Sequence, residues 1–352
     1  VNDRPDLNNL SCPMPLLDHD TVQLAHGAGG RLSADLIDKL IIPRFTSPEL
    51  DRMEDQAVLD LPTGLVAFST DTFVVSPIFF PGGDIGDLAV NGTVNDVAMS
   101  GATPIALSVG FVLEEGLPLA DFHRVLCSME TAASKAGVRI VTGDTKVVNR
   151  GSADRIFINT SGIGVIPEGV RLGADRIAPG DSVILSGTLA DHGMAVMTVR
   201  EGLSFQSTVT SDTRGLNHLV AAILEVCPGV KALRDPTRGG AATTLNEFAG
   251  TARVGIKLDE AAIPVRDDVR GACEILGIDP LYVANEGKLV AVVPEADAEA
   301  VVVAMRAHAE GRDAVIIGRV VAEHPGTVTM TTGLGAERIV DMPVGEQLPR
   351  IC

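Results

Sequence analysis

Pro81-Gly82-Gly83-Asp84-Ile85-Gly86-Asp87-Leu88-Ala89-Val90-Asn91-Gly92-Thr93-Val94-Asn95-Asp96-Val97-Ala98-Met99-Ser100 reads as a glycine turn that opens a helix running from Asp84 to about Ser100. At about 100° per residue, Ile85, Leu88, Ala89, Gly92, Asp96 and Met99 share one stripe, while Val90, Val94 and Val97 occupy the other side. A helix apolar on nearly every side belongs inside a domain. Asp96 is therefore a carboxylate on an otherwise uncharged stripe, where burial without a partner is expensive. A salt bridge or a cap to a nearby loop is one reading of it; a ligand-holding group is the other.

Outward from this helix, strands and helices mix without strict alternation. Leu65–Thr70 is a short strand that runs into Asp71. Ile105–Leu113 is a strand, Leu119–Ala136 an amphipathic helix, and Val138–Thr142 a strand ending in Gly143-Asp144-Thr145-Lys146. Ile156–Ile166, rich in β-branched residues, closes this half, and a boundary falls near Pro167–Gly173. Beyond it, strand Ser182–Ser186 leads to the polar turn Asp191-His192-Gly193 and a helix from Met194 to Glu201, with His192 read as a cap or turn residue. Helical patterns at Leu216–Cys227, Ala241–Ala252 and Val265–Leu276 alternate with strands near Ile256, Leu289 and Ala314–Val321. This mixture predicts α+β domains. The length suits two of them, over residues 21–168 and 169–338, with a polar leader at 1–20 and a tail at 339–352.

Asp71, Asp96 and Asp144 lie at or near element ends, where loops gather into sites. If they converge, their repulsion calls for a divalent cation, and hard oxygen ligands with phosphate suit Mg²⁺. Asp55, in Glu54-Asp55-Gln56-Ala57, is a further candidate. His26-Gly27-Ala28-Gly29-Gly30-Arg31 precedes a helical stretch from Leu32 to Leu40, and glycines ahead of a helix let backbone N–H groups approach a phosphate. Asp235-Pro236-Thr237-Arg238-Gly239-Gly240 is a second such turn, and Asn285-Glu286-Gly287-Lys288 sets an acid beside a base. Neither the P-loop nor the dinucleotide-binding fingerprint occurs.

With 28 basic against 46 acidic residues the net charge is −18, which argues against non-specific binding to nucleic acid or an anionic membrane. A polyphosphate substrate would need a cation between it and the protein. No apolar run reaches the roughly 18 residues of a spanning helix, and the leader has no apolar signal core, so a cytoplasmic protein is expected. The five cysteines are odd in number and widely spaced, with no zinc pattern. Cys127, Cys227 and Cys273 sit in apolar helical patterns and read as core. Cys352 is the last residue, behind Pro343, Gly345 and Pro349. Fully extended, the segment from Met342 reaches about 35 Å, enough to cross a cleft and withdraw.

Taken as an ordered set, several of these stretches resemble the HypE family of hydrogenase-maturation carbamoyl dehydratases. They are His26–Gly30, Ser69-Thr70-Asp71-Thr72, Phe80-Pro81-Gly82-Gly83, Asn95-Asp96-Val97-Ala98, Val141-Thr142-Gly143-Asp144-Thr145-Lys146, Thr237-Arg238-Gly239-Gly240, Asn285-Glu286-Gly287-Lys288 and Pro349-Arg350-Ile351-Cys352. The resemblance implies an aminoimidazole ribonucleotide synthetase-like fold, shared with selenophosphate synthetase: two α+β domains and a mobile C-terminal tail. The first domain would bind ATP and pair its sheet across a homodimer. It further implies ATP and Mg²⁺, with Gly27, Gly29, Gly30, Asp71, Asp96 and Asp144 near the nucleotide and Asp55, Asp71, Asp96 and Asp235 on metal. Cys352 would carry a carbamoyl group that is dehydrated to thiocyanate, with Lys146 and Glu286 handling protons at its nitrogen. HypF would supply the carbamoyl group, and the HypC–HypD complex would receive the cyanide ligand for nickel–iron hydrogenase. Other synthetases of the fold and a non-catalytic ATP-binding scaffold are the alternatives. The former need no terminal thiol; the latter would leave a carbamoylated tail unchanged.

Overall fold

The computed structural model describes residues 19–28, 31–45, 47–52, 57, 59–62, 64–202, 209–343, 348 and 350–352. Gly29, Gly30 and Asp55 lie outside the described residues. In the N-terminal half, α1 (Arg31–Leu36) and a π turn replace the single helix expected over Leu32–Leu40. There follow β1 (Leu65–Phe73), the short pair β2 (Phe79–Phe80) and β3 (Gly83–Asp84), α2 (Ile85–Met99), β4 (Thr103–Glu114), α3 (Leu119–Ala136), β5 (Arg139–Val148) and β6 (Ile156–Ile166).

Four of these strands form one sheet in the order β1-β6-β4-β5, with β4 and β5 parallel and the other pairs antiparallel. Helix α2 packs on β1 and β6 with α3 beside it. Its N-terminus is fixed by a reciprocal cap: Asp84 Oδ1 accepts from the Gly86 and Asp87 amides, and Asp87 Oδ1 accepts from the Asp84 amide. All of its residues are buried except Asp87 and Asp96, which are half-buried. Among the described residues, the other face of the sheet is left open on the β1 side. There Phe68 is 71% exposed and Val66 47% exposed on edge strand β1.

The C-terminal half comprises β7 (Ser182–Leu185), α4 (Asp191–Arg200), α5 (Asn217–Val226), β8 (Ala232–Arg234), α6 (Gly240–Ala252), β9 (Gly255–Asp259), α7 (Asp267–Leu276), β10 (Val290–Val293), α8 (Ala298–Arg306), β11 (Val315–Val321), β12 (Val328–Thr331) and β13 (Glu337–Ile339). Its strands run β13-β12-β9-β11-β7-β10-β8, with only β9 and β12 parallel. Unlike the first sheet, this one is covered on both faces. Val183, Leu185, Val290 and Val292 pack with α6, while Ile184, Ala291 and Val293 pack with α5 and α8. That is why β7 and β10 are buried throughout and read as unbroken apolar runs.

Two further expectations change. Strand β5 does not end at Thr142; it stays paired to β4 through Val148, so Asp144 and Lys146 project from a strand instead of lying in a loop. Helix α4 begins at Asp191, which puts His192 inside its first turn. The last three residues are also docked: the Val74 and Ser76 amides donate to the carbonyls of Cys352 and Arg350.

Candidate active site

Carboxylates converge where the two halves meet. Asp71 comes from β1, Asp96 from the last turn of α2, Asp235 from the residue after β8, and Glu286 from the turn before β10. Asp96 has no salt bridge among the described residues; the Ser69 hydroxyl donates to its Oδ2 at 2.8 Å. Asp71 Oδ1 accepts from the Thr72 amide at 2.7 Å. Burial pushes the Asp71, Asp96 and Asp235 carboxyls up, and mutual repulsion adds to this at Asp96 and Asp235. Asp235, the deepest of the three, is pushed up to about 7. Glu286 is raised well above the ordinary value, by burial first and then by Asp235, Asp212, Asp71 and Asp96. Its side chain is buried, and Oε1 accepts no hydrogen bond among the described residues. An unsatisfied buried acceptor of this kind is costly in a folded chain and marks a place where a ligand or proton is expected.

Beside the cluster, a cavity of about 790 Å³ is lined by Ser69, Asp96, Asp235, Thr237, Arg238 and Thr243. Its size is at the upper end of ordinary small-molecule sites. The turn into α6 that forms one wall needs its two glycines: Gly239 and Gly240 have φ of 75° and 62°, and a Cβ at Gly240 would meet the Leu281 carbonyl oxygen at 2.4 Å. Among the described residues no three Asp, Glu, His or Cys side chains form a ready cation cage. The donor chemistry nevertheless suits Mg²⁺, which ordinarily takes one or two carboxylates and completes its shell with phosphate and water oxygens.

Lys288, the basic residue two positions after Glu286, pairs with other carboxylates. Its Nζ lies 3.3 Å from Asp212 Oδ2 and 3.7 Å from Asp191 Oδ2. Burial pushes Asp212 up, but the Lys288 ammonium and the backbone amide of Glu286 act against burial and the net direction is down. Ionised Asp212 accepts from the Glu286 and Gly287 amides at 3.2 and 3.3 Å, which fixes the turn carrying Glu286. Gly287 is obligatory there, since a Cβ would lie 1.8 Å from the Asp212 carbonyl oxygen. Sequence reasoning missed Asp212 because Ser211-Asp212-Thr213-Arg214-Gly215 has no periodicity and resembles any polar loop.

The tail reaches this place. Cys352 pairs with Val74, three residues along the chain from Asp71, hence about 10 Å away at strand spacing. Ile351 is buried in the core that also holds Phe73, Ala190, Met194 and Ala284. Burying an isoleucine side chain stabilises by roughly 1.5–3 kcal/mol, which offsets part of the ordering entropy of the docked residues, the hydrogen bonds to Val74 and Ser76 adding to it. Arg350 pairs with Asp154 and donates to the Val74 carbonyl.

The remaining candidates lie elsewhere. Lys146 pairs with Asp144 at 2.7 Å, and both side chains are more than 60% exposed, at 64% and 68%. Asp71 is opposite buried Thr160, on the helix-covered side, whereas Lys146 is opposite Val112 on the open side. Two strands separate β1 from β5, so the groups lie on opposite faces and about 14 Å apart in strand spacing alone. Within this chain Lys146 pairs with Asp144, and no ion pair or hydrogen bond joins it to Glu286 among the described residues. Gly27 is also near β5, its missing Cβ leaving room for Val147, whose amide nitrogen would otherwise be 2.7 Å away. It does not line the cavity beside Asp96. Within one chain the expected site is thus two groups: Asp71, Asp96, Asp235, Glu286 and the tail, and separately Gly27, Asp144 and Lys146.

Two layered α+β halves with an acidic cleft between them define the class. Models of AIR synthase-related proteins match the chain, the N-terminal domain over residues 53–166 and the C-terminal domain over 178–331. The chain is 54% identical to the carbamoyl dehydratase HypE of Azotobacter vinelandii, over 96% of this chain and 98% of that one. It superposes on a crystal structure of hydrogenase maturation protein HypE in complex with ATP with a TM-score of 0.90, at 51% identity, covering 94% of this chain and 99% of that one. A HypE–HypF complex structure matches with a TM-score of 0.78 at 49% identity, over 88% and 99% of the two chains. The chain belongs to the HypE family of carbamoyl dehydratases.

Proposed function

We propose that this chain dehydrates a carbamoyl group carried on Cys352 to a thiocyanate at the expense of ATP, supplying the cyanide ligand of nickel–iron hydrogenase. The observation that carries the proposal is the seating of Cys352 on Val74, three residues along the chain from Asp71 of a carboxylate cluster that contains a buried Glu286 oxygen without a hydrogen bond among the described residues. Thiocarbamate, S–C(=O)–NH₂, must lose its oxygen and both N–H protons. Its carbonyl oxygen attacks the γ-phosphorus, ADP departs, and nitrogen gives up one proton. The second proton leaves as the C–O bond breaks, releasing phosphate and forming S–C≡N. Positioning and charge neutralisation dominate such phosphoryl transfer.

In this scheme Glu286 takes protons from nitrogen, its turn held rigid by Asp212. Burial first, and then the neighbouring carboxylates, raise Glu286 above the ordinary range and make it a stronger base, and positive charge entering the cluster would act in the opposite direction. Asp71, Asp96 and Asp235 would hold Mg²⁺ on the triphosphate, and the ion would supply that charge. Arg238 lines the same cavity and faces the phosphates in this reading.

Asp144, Lys146 and Gly27 enter the proposal through a second copy of the chain. The open sheet face, with Phe68 and Val66 exposed, is suited to a homodimer. Across such an interface one chain's Lys146 would serve the other's Glu286. HypF as carbamoyl donor, the HypC–HypD complex as acceptor, and a cytoplasmic location complete the reading; among the described residues no helix is long and apolar enough to cross a membrane.

Intact-protein mass spectrometry after incubation with the carbamoyl-donor system and MgATP tests the proposal. Loss of one water from the carbamoylated C-terminal peptide is expected. A carbamoyl mass that persists in the presence of ATP favours a non-catalytic scaffold.

A further inference from the structure

The docked tail lies between the continuation of β1 and helix α4. Val74 and Ser76 bind it from one side through their amides. From the other, Arg200 donates to both the Ser76 and Arg350 carbonyls. The deepest contact is made by His192. Its Nε2 lies 2.9 Å from the Ile351 carbonyl oxygen and its Nδ1 2.8 Å from Ser211 Oγ, and the ring is fully buried with the Phe80 ring perpendicular to it at 5.3 Å between centroids. A carbonyl oxygen only accepts, so the hydrogen is on Nε2, and Nδ1 of the neutral ring accepts from the Ser211 hydroxyl. Ser211 Oγ accepts in turn from the Thr213 amide at 3.1 Å. Asp212, between them, accepts from the Glu286 and Gly287 amides.

We infer that His192 is a positioning residue: it seats the C-terminal tail and, through Ser211 and Asp212, locks that seating to the turn carrying Glu286. This rests on the dehydration reading above and adds to it. A ring with both nitrogens committed, one to the tail and one to the segment that fixes the base, makes the position of the thiol depend on the position of Glu286. With the tail withdrawn, the buried Nε2 loses its acceptor, so the empty seat favours return of the arm.

His192→Ala and His192→Gln decide the matter, because the Gln amide places an N–H near the position of Nε2. In His192→Ala, the Val74 and Ser76 amides should exchange hydrogen about tenfold faster or more. Single-turnover dehydration of the carbamoylated tail should slow by a similar factor, while carbamoylation of Cys352 is undiminished. His192→Gln should recover most of both losses. A merely structural role would not separate the two reactions or be rescued in this way. Wild-type amide exchange and dehydration in His192→Ala would overturn the inference. If that variant does not fold, the imidazole ¹⁵N resonances of His192 give the same decision: deletion of residues 350–352 should shift Nε2, and an unmoved resonance rejects the contact. Failure of the wild-type protein to dehydrate its tail would instead reject the functional reading, and amide exchange at Val74 and Ser76 would still judge the seat.

Discussion

Asp144 with Lys146 and Asp235 with Glu286 are groups of the same chemistry in opposite electrostatic situations. Asp144 is exposed, and Lys146 beside it holds its carboxyl below the usual range. Asp235 and Glu286 are buried among other acids and are both raised. An exposed pair in high dielectric gains little and can be lost with little consequence to the fold. A buried cluster of one sign is unfavourable to the fold and persists where function requires it. The difference locates the chemistry in the cluster and leaves the exposed pair to act only where something else covers it.

The largest effect should come from Glu286. Glu286→Gln keeps the shape and removes the base, so dehydration should fall by about 10²–10⁴-fold, the usual contribution of a positioned base. Carbamoylation of Cys352 should be unaffected, and the carbamoylated tail should accumulate in the mass spectrum. Dehydration at the wild-type rate would remove Glu286 from the reaction and end the distinction between the two regions.

Asp235 sharpens the contrast through stability. Its folded-state value, about 7, is raised above the ordinary 3.8. The fold therefore prefers the protonated carboxyl: that contribution to stability is complete below pH 3.8 and is lost as pH rises through about 7. Asn carries no charge at any of these pH values. Metal-free Asp235→Asn should accordingly be more stable than wild type at pH 8, by roughly 2–4 kcal/mol in urea unfolding, with the gap closing towards pH 4. The same variant should lose Mg²⁺-dependent ATP turnover, and added MgATP should stabilise wild type more than the variant. Equal unfolding curves at pH 8 would show that the carboxylates do not repel one another as placed here.

Much of this was legible in one dimension. Helix α2 announced its burial through apolar residues on all sides, and Asp96 stood out because nothing else on its stripe is charged. The glycines at 239 and 240 marked the turn that opens α6, where both have positive φ. Depth and side were not legible. Whether Asp144 lay in a loop or on a strand turned on six more residues of parallel pairing to β4, a long-range contact that local pattern does not carry. His192 looked like a turn residue because its two partners, Ser211 and Ile351, are 19 and 159 residues away. Lys288 looked like the neighbour of Glu286 because they are two apart in sequence. The bend at Glu286 and Gly287 sends it to Asp212 instead.

Lys146 should show the smallest effect on stability and the most informative one on activity. Lys146→Ala removes one partner of an exposed pair, so unfolding should change by no more than about 1 kcal/mol. If the open sheet face is covered by a second chain whose Glu286 Lys146 serves, the variant should still lose dehydration. Mixing inactive Lys146→Ala chains with inactive Glu286→Gln chains should then restore activity. Each mixed dimer has one site built from the intact Glu286 of the first chain and the intact Lys146 of the second, and one site with neither. After full subunit exchange half the dimers are mixed, so about a quarter of wild-type activity per site is expected. No recovery on mixing, with exchange verified, would confine each site to one chain, and the 14 Å of sheet between Lys146 and Asp71 would then exclude Lys146 from the reaction.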